Sequence, residues 1–531
     1  MSVLLLLSTA AIAFALAWPL VLDAPEPANL RAYLHEPPIV HDPKAWLQCA
    51  GVPNHLAWRA AYRGIFATGL DFSGLTRLAW LAPLASVCVV WWLARGRALT
   101  GVIVAALALS PAFATDWLLL ERLRLFLPAL AACVMVVLLQ RPSRLRVSLA
   151  LILALAAVFT HEGGSLLWLA MLPLLVPPTR DQGGIGSLAF WVLCGSGALA
   201  LCYDETARTS PGLVGALVAQ PGPTLEFLAS ALGTALPDVL AGTPRDGRIL
   251  GTAMGVATIV YGVASPWLDA DRWRAARPWY ALALAGAAQA VAAAHVLVPQ
   301  SISDSLLRQT TWGAWLLPVG LAGTFVHTFP NLGRRLAPYA LGAMALLLLQ
   351  DWHAGLGFLR SHAALMRQCE ALLVFADLRQ EQLPSFPWPS VPKHADRVLL
   401  RARGRLQRAA PLADDLLHGI EARDESAPAG RIDGANPTFV HGTVTDPART
   451  DLVLLMRQHG DGPPHLLCVG APNVLENATA PQWGCDLSRL EPARDDDLMF
   501  ALAFDLRARA TSPMSGRFVW RGQGFVREDE R

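Results

Sequence analysis

Long apolar runs separated by short polar turns fill the first two-thirds of the chain. They cover residues 3–22, 77–94, 98–115, 117–140, 147–160, 165–178, 185–203, 249–268, 279–298, 313–329 and 338–355. A helix needs roughly 20 apolar residues to cross the hydrocarbon core, and lipid cannot satisfy free backbone groups, so such runs read as helices. The pattern predicts a polytopic α-helical membrane protein with about eleven transmembrane helices. Runs 147–160 and 165–178 are short and share the hinge Gly163-Gly164, as in a tight hairpin or a re-entrant pair. The first run lacks a positive n-region and reads as an uncleaved anchor, although Ala15-Leu16-Ala17 resembles a cleavage site.

The loops set an orientation. Arg95 and Arg97, then Arg141, Arg144 and Arg146, Arg180, Arg272, Arg274 and Arg277, and Arg334 and Arg335 fall in alternate turns. The positive-inside rule puts them in the cytoplasm. The long segments 23–76 and 204–248, and everything after about residue 356, are then expected outside. Three regions follow: a helical bundle over 1–355, an exterior helical segment and linker over 356–428, and an exterior β-sandwich-like domain over 429–531.

The last region has a different rhythm. Thr438 to Val440, Leu452 to Met456, Leu466 to Val469, Leu498 to Phe504 and Arg517 to Trp520 are short β-runs with turn residues between them. That spacing suggests a small β-sandwich.

Composition sharpens the membrane reading. Of 531 residues, 54% are hydrophobic and 16% charged, where a soluble protein carries about 25% charged residues. The net charge of +2 gives no basic surface, so nucleic acid is not expected as a partner. Cys88, Cys133 and Cys194 lie in apolar runs and act as small hydrophobes. Cys49, Cys369, Cys468 and Cys485 fall on the side expected to be oxidising, where a Cys468–Cys485 bridge would staple the sandwich. No Cys/His zinc spacing is present.

Ionisable residues inside or beside apolar runs are costly and mark function when they are kept. They gather on one side. Asp116, Glu121, Arg122 and Arg124 precede or open the fourth run, His161 and Glu162 close the fifth, and Asp304 and Arg308 precede the tenth. The long first loop adds His35, Glu36, His41, Asp42, Arg59, Arg63 and Asp71. Arg122 and Arg124, with Glu121, read either as snorkelling interface residues or as a phosphate clamp, a task suited to the guanidinium fork. Arg308 has the same two readings. His161-Glu162 reads as a helix end capped by Gly163-Gly164 or as a general base. Asp42 serves as a loop cap or as a site carboxylate. In the tail, Asp495-Asp496-Asp497 reads as a solvated turn and His441 as a strand residue. No nucleotide-binding glycine loop is found.

The arrangement Arg122-Leu123-Arg124, an arginine-rich turn and a run ending in His161-Glu162-Gly163 resembles bacterial membrane glycan enzymes. These are the repeat-unit polymerases of exopolysaccharide and O-antigen and the GT-C-type glycosyltransferases. Gly430 to Asp433 with Val440 to Pro447 resembles a β module appended to surface-glycan membrane proteins; such sandwiches bind sugars or pack on a partner domain. The resemblance implies an enzyme of the bacterial inner membrane that uses a polyprenyl-phosphate-linked sugar and a glycan acceptor at the periplasmic face. It implies His161, Glu162 and Asp42 as catalytic groups and Arg122, Arg124, Arg308 and Glu121 as substrate-binding groups. The families' acidic pair in the first exterior loop is matched here only by a lone Asp42 or Glu36, so no metal or other cofactor is assigned. Two other readings stay open: a non-enzymatic membrane protein that displays the β module, and a transporter.

Overall fold

The computed structural model describes residues 80–95, 98–109, 123–158, 160, 162–176, 185–202, 212–234, 244–297, 312–374, 421–422, 428–447, 449–473, 481–488, 490, 492–522 and 524–528. They fall into two compact units, one ending at Leu359 and the other beginning at Arg360.

The first unit is helical. It contains α1 (Leu81–Leu93), α2 (Ala98–Ala108), α3 (Leu123–Leu139), α4 (Arg144–Val158), α5 (Glu162–Ala170), α6 (Leu172–Leu175), α7 (Ile185–Cys202), α8 (Gly212–Ala219), α9 (Pro221–Gly233), α10 (Pro244–Ala264), α11 (Ala270–Leu297) and α12 (Leu316–Thr328). The first part of α13 (Pro330–Val374) also belongs to it. The 28-residue α11 is the axis of this unit and is packed by α5, α9 and α12. Its alanine content favours helix. Its start is capped by Asp269, whose Oδ1 accepts from the N–H groups of Asp271 at 2.9 Å and Arg272 at 3.3 Å.

Small residues let the backbones meet. A methyl at Gly320 of α12 would strike the backbone of Ala283 and Trp279, and one at Gly286 of α11 would strike Leu317. Gly233 of α9 and Gly251 of α10 make the same kind of approach to Gly247 and Ala229.

The expectation of about eleven transmembrane helices is corrected here. Among the described residues, one helix is long and apolar enough to cross a membrane, the stretch Gly247–Ala264 of α10. A second is counted only if Pro330–Leu336 and Pro338–Gln350, bent by 40° against each other, form one span. The reason is that an apolar run is not a helix length. α1 has 13 residues, α2 11, α4 15 and α5 9. At about 1.5 Å per residue, 13 residues reach roughly 20 Å against the 30 Å of a hydrocarbon core. The run 165–178 breaks at Met171 between α5 and α6, and the run 313–329 opens in a 3₁₀ turn, Trp312–Trp315.

The second unit holds the end of α13 and the β region. Its first sheet runs β1 (Glu421–Ala422), β8 (Ala510–Pro513), β7 (Asp497–Asp505), β4 (Leu452–His459), β5 (His465–Gly470), with β9 (Phe518–Arg521) on β7 and β10 (Gly524–Arg527) on β9. The second sheet runs β2 (Gly430–Ala435), β3 (Phe439–Val444), β6 (Gln482–Asp486). Alternate residues of both sheets share one core, with Ile432, Val440, Val444 and Trp483 from the second and Val453, Leu455, Met499 and Ala501 from the first. The turn between β2 and β3 is fixed by Asn436, whose Oδ1 accepts from the N–H groups of Thr438 and Phe439. The five stretches read as β-runs coincide with β3, β4, β5, β7 and β9. β1, β2, β6, β8 and β10 lie outside those stretches.

Cys468 on β5 and Cys485 on β6 are buried in that core as free thiols, which corrects the expected Cys468–Cys485 bridge. The last turns of α13 hold to the same unit. Arg367 Nε lies 3.5 Å from Asp451 Oδ1, and Gln368 Nε2 donates to the Pro472 carbonyl at 2.7 Å.

Candidate functional site

The helical unit has two distinct ends. At one, α11 begins and α12 finishes, with Trp279 stacked on His327 at 6.2 Å. Arg277 Nη1 donates there to the Val176 carbonyl at 3.1 Å, just past α6. Arg272, Arg274, Arg334 and Arg335 belong to this end, and Arg141, Arg144 and Arg146 lie exposed where α3 passes into α4. These are the residues that the loop pattern groups on one side.

At the other end three chain segments meet around one side chain, Gln289 of α11. The amide is 1% exposed. A methyl at Gly163, the second residue of α5, would sit 2.7 Å from Gln289 Oε1 and 3.1 Å from Nε2. A methyl at Gly313 of the 3₁₀ turn would sit 2.8 Å from Gln289 Cγ and 3.5 Å from Ala129 Cβ of α3. The same turn packs on the start of α3 through Phe126 and Trp312, edge to face at 4.7 Å. Trp312 Nε1 donates to the Ala108 carbonyl at 2.9 Å. Neighbouring Gly164 abuts the Ala157 carbonyl and closes the α4–α5 hairpin. The Gly163-Gly164 pair is therefore a place of two close approaches, one to the helix before it and one to Gln289.

Among the described residues, the amide nitrogen of Gln289 has no hydrogen-bond partner. Trp315 Nε1, on the turn that carries Gly313, and Trp168 Nε1 of α5 are also buried donors without partners. A buried donor left unpaired costs about 1–3 kcal/mol, so Gln289 and Trp315 leave donor capacity at this end of the unit.

The residues singled out in the sequence stand as follows. Arg124 is the second residue of α3 and Glu162 the first residue of α5, so both positions open helices at the Gln289 end. Asp42, Glu121, Arg122, His161 and Arg308 lie outside the described residues; Arg122 directly precedes α3 and His161 directly precedes α5. Gln289 is neutral and so gives no signal among the ionisable residues of the sequence. The available signal was a single amide in a mostly apolar, alanine-rich run, 279–298, that also holds His295.

The β region carries two buried carboxylates of its own. Asp497 does not share the solvated turn of Asp495 and Asp496. It is buried, with Oδ1 2.8 Å from His459 Nδ1 and Oδ2 accepting from the Arg494 N–H at 2.8 Å. Asp451 accepts from the Leu506 N–H at 2.9 Å, and burial pushes its carboxyl above the usual range against that hydrogen bond and the charge of Arg367. Both brace loops, so they read as structural. His441 is exposed on β3 beside Phe439, the rings stacked at 6.1 Å. Among the described residues no three His, Cys, Asp or Glu side chains form a metal set. Compared with known proteins, the chain matches no family model, no curated protein and no solved structure.

Proposed function

We propose that this protein is a membrane-associated glycosyltransferase or repeat-unit polymerase that takes a sugar from a polyprenyl-phosphate carrier and works at the outer face of a bacterial inner membrane. The observation that carries the reading is the meeting of the head of α5, the start of α3 and the 3₁₀ turn around Gln289, at the end opposite the arginine-rich turns. The head of α5 and the start of α3 contain or adjoin the positions of His161 and Glu162 and of Arg122 and Arg124, and Arg308 lies four residues before the 3₁₀ turn in the sequence.

Lipid contact is supported by the outer helix faces. Leu145, Leu149, Ile152 and Leu155 form one exposed stripe on α4, and Ile249, Val256, Ile259, Val260 and Val263 form another on α10. Apolar faces of that extent mark a membrane or protein contact, and a lipid-linked substrate would reach the site from the same medium.

In this reading the acceptor hydroxyl loses its proton to His161 or Glu162 as it attacks the anomeric carbon. Asp42 is the further carboxylate available to that step. The bond to the carrier phosphate breaks, and the leaving phosphate gains charge that Arg122, Arg124 and Arg308 stabilise where water is scarce. Glu121 is the remaining substrate-binding group of this reading. The test is complementation of a strain without the native copy. Arg124→Ala and His161→Ala should abolish glycan product while the protein still accumulates in the membrane. Full product from both variants would refute the reading and favour a non-enzymatic display role for the β region.

A further inference from the structure

We infer that the amide of Gln289 is a binding residue that donates its free hydrogen bond to a phosphate oxygen of the carrier lipid; this rests on the glycosyl-transfer reading of the same site. Three observations carry it. The Nε2 group is buried in an alanine-rich helix and has no partner among the described residues, a costly state that an apolar residue of the same shape would remove. The room for this side chain is made by Gly163 and Gly313, where alanine would serve a helical segment better but its methyl would strike the amide or its stem. Finally, the amide lies against the first turn of α5, with Oε1 nearer than Nε2 to the place a methyl on Gly163 would take.

The chemistry of the unused groups selects the ligand. Gln289 Nε2 and Trp315 Nε1 are donors, and the turn that holds Trp315 packs against the start of α3, where the chain places Arg124. A sugar hydroxyl would both give and take a hydrogen bond, whereas a phosphate oxygen only accepts. An anion at a helix N-terminus also gains from the dipole. The shared chemistry is therefore a phosphate oxygen, carried either by the lipid headgroup or by free pyrophosphate.

The experiment titrates the purified full-length protein with undecaprenyl phosphate and, separately, with inorganic pyrophosphate, following tryptophan fluorescence. Wild type is compared with Gln289→Met, which keeps length and removes the donor, and with Gln289→Glu, which adds a negative charge. Gln289→Met should weaken undecaprenyl phosphate binding about ten- to a hundredfold, the range for a hydrogen bond to a charged group. Its melting temperature should be unchanged or higher, because an unpaired buried donor is gone. Gln289→Glu should bind more weakly still. Loss in the lipid arm alone assigns the site to the headgroup in its lipid context; equal loss in both arms assigns it to the phosphate itself. Binding by Gln289→Met equal to wild type, or no binding of either probe by wild type, overturns the inference. So does a lowered melting temperature with unchanged affinity, which marks a purely structural amide. Binding without sugar transfer would discard the transfer reading and leave the inference standing. Transfer with an unchanged KM in Gln289→Met would do the reverse.

Discussion

Replacing glycine by alanine at two helical positions should move stability in opposite directions. At Gly342 of α13 nothing lies within 4 Å of the position a methyl would take. Alanine there removes a backbone-entropy cost and should stabilise the protein by about 0.5–1 kcal/mol. At Gly320 of α12 the methyl would meet the backbone nitrogen and Cα of Ala283 and the carbonyl of Trp279, with Ala283 Cα at 2.7 Å. Backbone cannot swing aside as a side chain can, so α11 and α12 must move apart. Overpacking costs up to about 3 kcal/mol, offset by about 1 kcal/mol of helix propensity, for a net loss of roughly 2 kcal/mol. The same chemical change should thus differ by about 3 kcal/mol between the two sites. The assay is thermal unfolding of the purified protein and both variants, side by side. A Gly320→Ala protein as stable as wild type would refute the close approach of α11 and α12, and with it the placement of Gln289 against Gly313.

Two further outcomes concern the β region. Asp451→Asn should raise the melting temperature near neutral pH, because burial holds the Asp451 carboxyl above its ordinary range, so its ionisation works against the fold. The protonated group's contribution is complete below the unfolded value and is lost as pH rises through the folded one, so the gap between variant and wild type should close below about pH 4. A gap that instead widened in acid would contradict this. Cys468 and Cys485 should resist alkylation in the native protein and react after denaturation. Burial first, and the neighbouring Cys468 thiol second, raise the Cys485 thiol well above its ordinary range, and the thiolate is the reactive form. Mass spectrometry showing labelling in the native state, or a disulfide between them, would refute that picture.

What the sequence made legible differs between the units. In the β region, alternation of apolar and polar positions marks β4 and β7, because inward residues such as Val453, Leu455, Met499 and Ala501 face one core. β6 escapes, since Gly484 and the outward Gln482 and Asp486 leave only Trp483 and Cys485 as apolar signal. In the helical unit apolarity marks that a segment is buried in protein or lipid, but not where a helix stops. Met171, the 3₁₀ turn at Trp312 and the Gly163-Gly164 approach set those limits, and each depends on a neighbour distant in sequence. The grouping of arginines was legible because they fall between the apolar runs, although Arg144, Arg146, Arg272, Arg274, Arg277, Arg334 and Arg335 lie inside helices. Gln289 was not: a neutral amide carries no charge pattern, and its meaning comes from the absence of a partner in three dimensions.

The most direct measurement is photolabelling with an undecaprenyl phosphate analogue that carries a diazirine in its first isoprene unit, followed by peptide mapping. The account predicts adducts on peptides from the start of α3, the head of α5 and the 3₁₀ turn at Trp312, lost on competition with unlabelled undecaprenyl phosphate. Adducts confined to the arginine-rich end or to the β region would contradict it.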